Sequence, residues 1–178
     1  MHLISRSYGV NHWPEIVTSC VLGTGTCWAV TAADVVASLL SITRGEGEFI
    51  ELEFEELVEA VFEKYPPEPD YRVQIASYVR MGNDATEEDV LRALRRHPLA
   101  GAVDFTPTFR DFRGSGILEE VGPQKKGRHA FLIVGFGSEN GITYYKIQNS
   151  WGTNWGENGF AKVRRDLVHS ICFPVLRA

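Results

Sequence analysis

An α+β fold with two lobes is what this sequence predicts, and three observations predict it. Apolar residues recur at helical spacing through the first half of the chain. From residue 99 onward the spacing drops to two, and Gly, Asn and Pro punctuate the segments. Hydrophobic residues make up 44% of 178, enough for a core but with no run long enough to span a bilayer. A single domain is expected, with a helical lobe over about 1–82 and a β-rich lobe over 83–178, the boundary falling near Gly82–Thr86.

The first helix spans 27–43. It is apolar around most of its circumference, and its polar exceptions, Thr31, Asp34, Ser38 and Ser41, alternate at spacings of four and three. They form one stripe, which Cys27 extends toward the N-terminus, so the thiol is expected on the open side of the helix. There the helix dipole favours a thiolate. A second helix over about 52–65 carries Phe54, Leu57, Val58, Val61, Phe62 and Tyr65 on one face and stops at Pro66-Pro67. A third is capped by Thr86, has Glu87, Glu88 and Asp89 in its first turn, and ends at Arg95 and Arg96. Strands are expected at Leu99–Phe105, Ile117–Val121, His129–Phe136, Thr143–Gln148 and Gly159–Arg164, with a hairpin loop over 137–141.

Composition removes several function classes. A net charge of −5 gives no basis for binding nucleic acid. The basic patch Lys125, Lys126 and Arg128 reads as a solvated loop. No membrane partner is expected. Three cysteines without a Cys-x-x-Cys imply neither a disulfide framework nor a metal site, and no cofactor is indicated. A cytoplasmic or other reducing compartment fits this. The alternative is a secreted, vacuolar or lysosomal one, if a leader and pro-segment have been removed.

The chemistry is carried by Cys27, His129 and Asn149. A thiol attacks a carbonyl as thiolate, so it needs a base, and the base needs a group that fixes its ring and tautomer. The pieces that matter are Gly25-Thr26-Cys27-Trp28-Ala29, then His129-Ala130 with Val134-Gly135-Phe136-Gly137. The last is Asn149-Ser150-Trp151-Gly152-Thr153-Asn154-Trp155-Gly156-Glu157-Asn158-Gly159-Phe160. With these motifs the chain resembles the papain-like cysteine peptidases, the papain and cathepsin group. The likeness covers most of the chain and fails mainly between about 66 and 72.

The resemblance implies a papain-like two-lobed fold, with a helical N-terminal lobe, an antiparallel barrel-like C-terminal lobe and the active site in the cleft between them. It implies Cys27 as nucleophile, His129 as general acid/base and Asn149 as the group orienting the imidazole. Trp151 would shield the His–Asn bond from water. Ala102, Ala130, Trp151 and Trp155 would line the substrate side. The small walls at Ala102 and Ala130 would leave room for a bulky apolar side chain on the substrate's second residue. The implied partners are a peptide or protein substrate and a protein inhibitor.

The sequence also departs from the family pattern. The backbone N–H of Cys27 remains as an oxyanion donor, but Val21 stands where the family has glutamine. Losing one such donor costs about 2.7–4 kcal/mol. His129 lies 102 residues beyond Cys27 and Asn149 lies 122 beyond it, short of the roughly 130–150 of the papain pattern. The deleted segment corresponds to the family's glycine- and cysteine-rich cleft wall. Thr24 and Gln124 occupy cysteine positions, so Cys20 and Cys172 are expected as free thiols. These residues predict a cysteine peptidase homologue with reduced activity. The alternatives are a pseudopeptidase that binds peptide or protein without turnover, or an acyltransferase working through the same thioester.

Overall fold

A computed structural model describes residues 27–44, 75–81 and 85–176. Helix α1 (Cys27–Arg44) precedes strand β1 (Ile75–Arg80), helix α2 (Glu87–Leu94) and strand β2 (Leu99–Phe105). The one-turn helix α3 (Pro107–Arg110) follows, then strands β3 (Ile117–Leu118), β4 (Gly127–Glu139), β5 (Ile142–Gln148) and β6 (Phe160–Arg164). A 3-10 turn over Arg165–Leu167 leads into β7 (His169–Leu176). The strands form one sheet in the order β1-β7-β2-β4-β5-β6-β3, antiparallel except where β3 meets β6. Among the described residues no helix is long and apolar enough to cross a membrane.

One face of the sheet holds the main core. Leu99, Val103, Phe131, Ile133, Ile147 and Val163 lie there at 0–1% exposure, packed against Val90, Leu91 and Leu94 of α2. Each such side chain contributes about 1.5–3 kcal/mol by leaving water. Leu132 alternates with Phe131 and Ile133 and therefore points to the opposite face, where it is equally buried. Helix α1 packs against β4, β7 and β2 and covers that side with Ala29, Val30, Ala33, Val35 and Ala37. Helix α2 starts on a full capping box. The Thr86 hydroxyl accepts from the Asp89 N–H at 3.3 Å, and the Asp89 carboxylate accepts from the Thr86 N–H at 3.1 Å.

Several expectations change. The polar stripe of α1 is not an open side: Thr31 and Ser38 are buried and Asp34 is half-buried, while the exposed positions include Ala32 and Ile42. Ser38 tolerates burial because its hydroxyl donates to the Asp34 carbonyl at 2.7 Å. The loop over 137–141 contracts to a two-residue turn at Asn140-Gly141, with φ of 52° and 81°, as a tight hairpin joining Glu139 to Ile142 requires. The strand read as Ile117–Val121 ends at Leu118, because the Val121 carbonyl is taken by the Thr106 hydroxyl and Gly122 turns the chain with φ of 73°. Strand β1 lies inside the span read as helical and pairs with β7, so the sheet begins before the expected boundary. The helix expected over 52–65 lies outside the described residues.

Gly156 is the glycine on which the turn after β5 depends. It has φ of 58°, and a Cβ there would run into the Phe160 carbonyl. Gly156→Ala should lower stability by about 2 kcal/mol or more, read as the shift in urea midpoint. An unchanged midpoint would mean the turn relaxes freely.

Candidate active site

His129 enters the core from β4. It stands opposite Val103 of β2 and is only 4% exposed. Asn149 follows directly on β5, anchored where its N–H donates to the Gly159 carbonyl at 2.9 Å. Its Oδ1 lies 2.7 Å from His129 Nε2 and accepts the Ser150 N–H at 2.9 Å. A backbone N–H can only donate, so the atom it meets is the amide oxygen, and the amide orientation follows. That oxygen can only accept from the imidazole, so Nε2 carries the proton in the neutral ring. Nδ1 is left with a lone pair, the state a general base requires. Among the described residues Asn149 Nδ2 has no partner, so the amide is held through its oxygen.

Aromatic rings keep this pair dry. Trp151 lies over the imidazole with centroids 4.2 Å apart, and Phe109 and Phe105 approach at 5.6 and 6.3 Å. Phe109 is fully buried and carried by α3, whose N-cap Thr106 accepts the Phe109 N–H at 3.2 Å. Its carbonyl accepts the Trp155 indole N–H at 2.9 Å, which ties the turn after β5 to α3. Burial pushes the His129 imidazole down to about 4, and the Asn149 hydrogen bond opposes part of that shift. Phe109 and α3 escape the period-based reading because one turn of helix has no periodicity. The Thr106-Pro107 pair, a cap followed by proline at the first helical position, is the signal that marks it.

The chain is similar to known proteins. The model for papain family cysteine proteases matches residues 62–172, which include His129 and Asn149 and begin after Cys27. The chain belongs to the papain family of cysteine proteases. Among relatives, a cysteine protease of Blomia tropicalis is 26% identical over 79% of this chain and 55% of its own length. The viral cathepsin of Lymantria dispar multicapsid nuclear polyhedrosis virus is 37% identical over 49% of this chain and 23% of its own length. This chain thus spans about half or less of these curated relatives. The Carica candamarcensis cysteine protease CMS1MS2, solved in complex with E-64, superposes with a TM-score of 0.66 at 20% identity, covering 86% of this chain and 90% of that one. Trypanosoma congolense proCathepsin B S9 gives 0.71 at 17% identity, covering 86% and 69%. The fold is the papain-like α+β fold.

Cys27 is the first residue of α1, half-buried, on a helix that lies against β4, the strand bearing His129. Ala102 and Ala130 face each other across β2 and β4, both half-buried. Trp151 packs against His129 with its ring tilted by 38° and is half-buried. Trp155 is a correction. At 2% exposure, with its indole N–H committed to Phe109, it has no face to offer a peptide and belongs to the core. His97 follows α2, and its Nδ1 donates to the Pro98 carbonyl at 3.0 Å. Cys172 is a free, half-buried thiol pushed up by burial. Val21 and Cys20 lie outside the described residues.

The depressed His129 has a consequence for folding. The unfolded chain binds a proton near 6.5 and the folded chain only near 4, so the unfolded state holds more protons between them. Stability from this group is complete above 6.5 and is lost as pH falls through 4. The wild type should lose up to roughly 3 kcal/mol more over that window than a His129→Gln variant, measured as urea midpoints from pH 7 to pH 4. Equal losses would show that the imidazole is not desolvated.

Proposed function

We propose that this chain is a cysteine peptidase that hydrolyses peptide bonds through a thioester on Cys27, with His129 as general acid/base and Asn149 as its orienting partner. The observation that carries the reading is the 2.7 Å contact between His129 Nε2 and Asn149 Oδ1, because it leaves Nδ1 as the basic nitrogen. In the mechanism, Nδ1 takes the thiol proton as Sγ attacks the substrate carbonyl. The Cys27 N–H faces the developing oxyanion. Collapse breaks the C–N bond, and the same proton passes from the imidazole to the departing amine. Water then gives a proton to Nδ1 as its oxygen attacks the thioester. The acid leaves, and the proton returns to sulfur. The imidazolium formed on the way is stabilised through Nε2–H by the amide oxygen of Asn149, while Trp151 excludes competing water.

Val21 favours a second reading, a binding module that keeps the cleft and lacks turnover, since valine supplies no side-chain donor where the family has glutamine. One experiment separates the two. Iodoacetamide at pH 7, where the bare Nδ1 can take the thiol proton, should alkylate Cys27 faster than an ordinary thiol, with the fast phase absent in Cys27→Ala and slowed in His129→Ala. Labelling at the ordinary rate would favour the binding module. If labelling is fast, Val21→Gln should raise peptide turnover by up to about 10²-fold. No gain would mean that another donor already fills the oxyanion hole.

A further inference from the structure

Where β7 meets β2 the chain carries a nucleophile, a base and a carboxylate that the chemistry at Cys27 does not use. Ala100 stands opposite Cys172 and Ala102 opposite His169, so two steps along β2 are matched by three along β7. The surplus residue makes a bulge, a device that turns a side chain out of the regular pleat. Ser170 lies in it with φ of 56°, the left-handed region that glycine usually fills in such a bulge. A serine held there is under strain that glycine would not feel. Its hydroxyl lies 3.2 Å from His169 Nδ1, and His169 Nε2 lies 3.3 Å from Asp104 Oδ1.

Lys125 Nζ donates to the same Asp104 oxygen at 2.7 Å and through that bond holds the carboxyl below the usual carboxylate range, so Asp104 stays ionised. A carboxylate can only accept, so Nε2 carries the ring proton and Nδ1 offers its lone pair to the Ser170 hydroxyl. Serine then donates to histidine and histidine to aspartate, the order that activates a hydroxyl for attack. Ser170 is exposed, and the side chains of His169 and Asp104 are about a third exposed, so a small molecule can reach the group. Val103, the residue before Asp104, pairs with His129, which puts Asp104 on the opposite face of the sheet from the His129 ring.

We propose that Ser170 is a second nucleophile of this chain, taking acyl groups from small esters with good leaving groups, aryl esters above all. Ser170 Oγ bonds to the ester carbonyl carbon as His169 Nδ1 takes the hydroxyl proton. The bond from that carbon to the aryl oxygen breaks, and the proton passes to the departing phenoxide. Water then attacks the acyl-serine and gives a proton to Nδ1. The carboxylic acid leaves, and the proton returns to Ser170 Oγ. Asp104 stabilises the imidazolium in both halves. Neither Cys27 nor His129 takes part, so this activity stands apart from the peptidase reading.

The test uses the full chain as Cys27→Ala, which silences the thiol, and an alkyl fluorophosphonate, which phosphonylates an activated serine with loss of fluoride. Intact mass should show a single phosphonyl group, and peptide mapping should place it on Ser170. Ser170→Gly should abolish the label and leave the urea midpoint equal or higher, because glycine adopts φ of 56° without strain. His169→Gln and Asp104→Asn should each slow labelling, the first by about 10²-fold or more. With p-nitrophenyl acetate the Cys27→Ala chain should release a burst of about one equivalent of nitrophenolate that the added Ser170→Gly removes. No label on Ser170, a label spread evenly over several serines, or a rate that neither His169→Gln nor Asp104→Asn changes would overturn the proposal.

Discussion

The hydrogen bond between His129 and Asn149 requires a strand, a turn and a dry pocket to be in place together. Twenty residues separate the partners, and both are almost fully buried. An imidazole at 4% exposure would be unfavourable without a partner for its N–H, since an unsatisfied buried donor costs about 1–3 kcal/mol. The amide oxygen meets that need and selects the tautomer. The surrounding rings lower the local dielectric, which strengthens the bond and depresses the basicity of the ring. Position, tautomer and proton affinity thus follow from one contact and its shelter.

Much of the neighbouring structure serves that contact. Strand β4 fixes His129 through its register with β2, and Asn149 is held by the backbone bond to Gly159. The turn between them folds back over the pair, bringing Trp151 against the imidazole and Trp155 into the core. Helix α3 links the turn to β2. Its cap, Thr106, bonds both to Phe109 and to the Val121 carbonyl, and Phe109 touches His129, Trp151 and Trp155. The sheet supplies position, and this aromatic knot supplies dryness.

How much the sequence reveals depends on whether a segment has one dry face. Helix α1, the capped α2 and strands β2, β5 and β6 are legible within a residue or two because their apolar positions follow a single period. Strand β1 is exposed along its described side chains and shows no alternation, and β7 is broken by the left-handed Ser170 and by Pro174, so neither announces itself. The polar stripe of α1 misleads, because Thr31 and Ser38 are buried. His129, Asn149 and Trp151 are legible from motif, whereas Trp155 shows the limit of that reasoning. The same motif contains residues that meet the His129 ring and a residue that holds the turn, and only the contacts tell them apart.

The most direct test of this account is the protonation pattern of the His129 ring. Long-range ¹H–¹⁵N correlation spectra of ¹⁵N-labelled protein at pH 7 should show Nε2 protonated and Nδ1 bare. An imidazole protonated at Nδ1 instead, with its lone pair on Nε2, would contradict the arrangement from which the proposed chemistry is built.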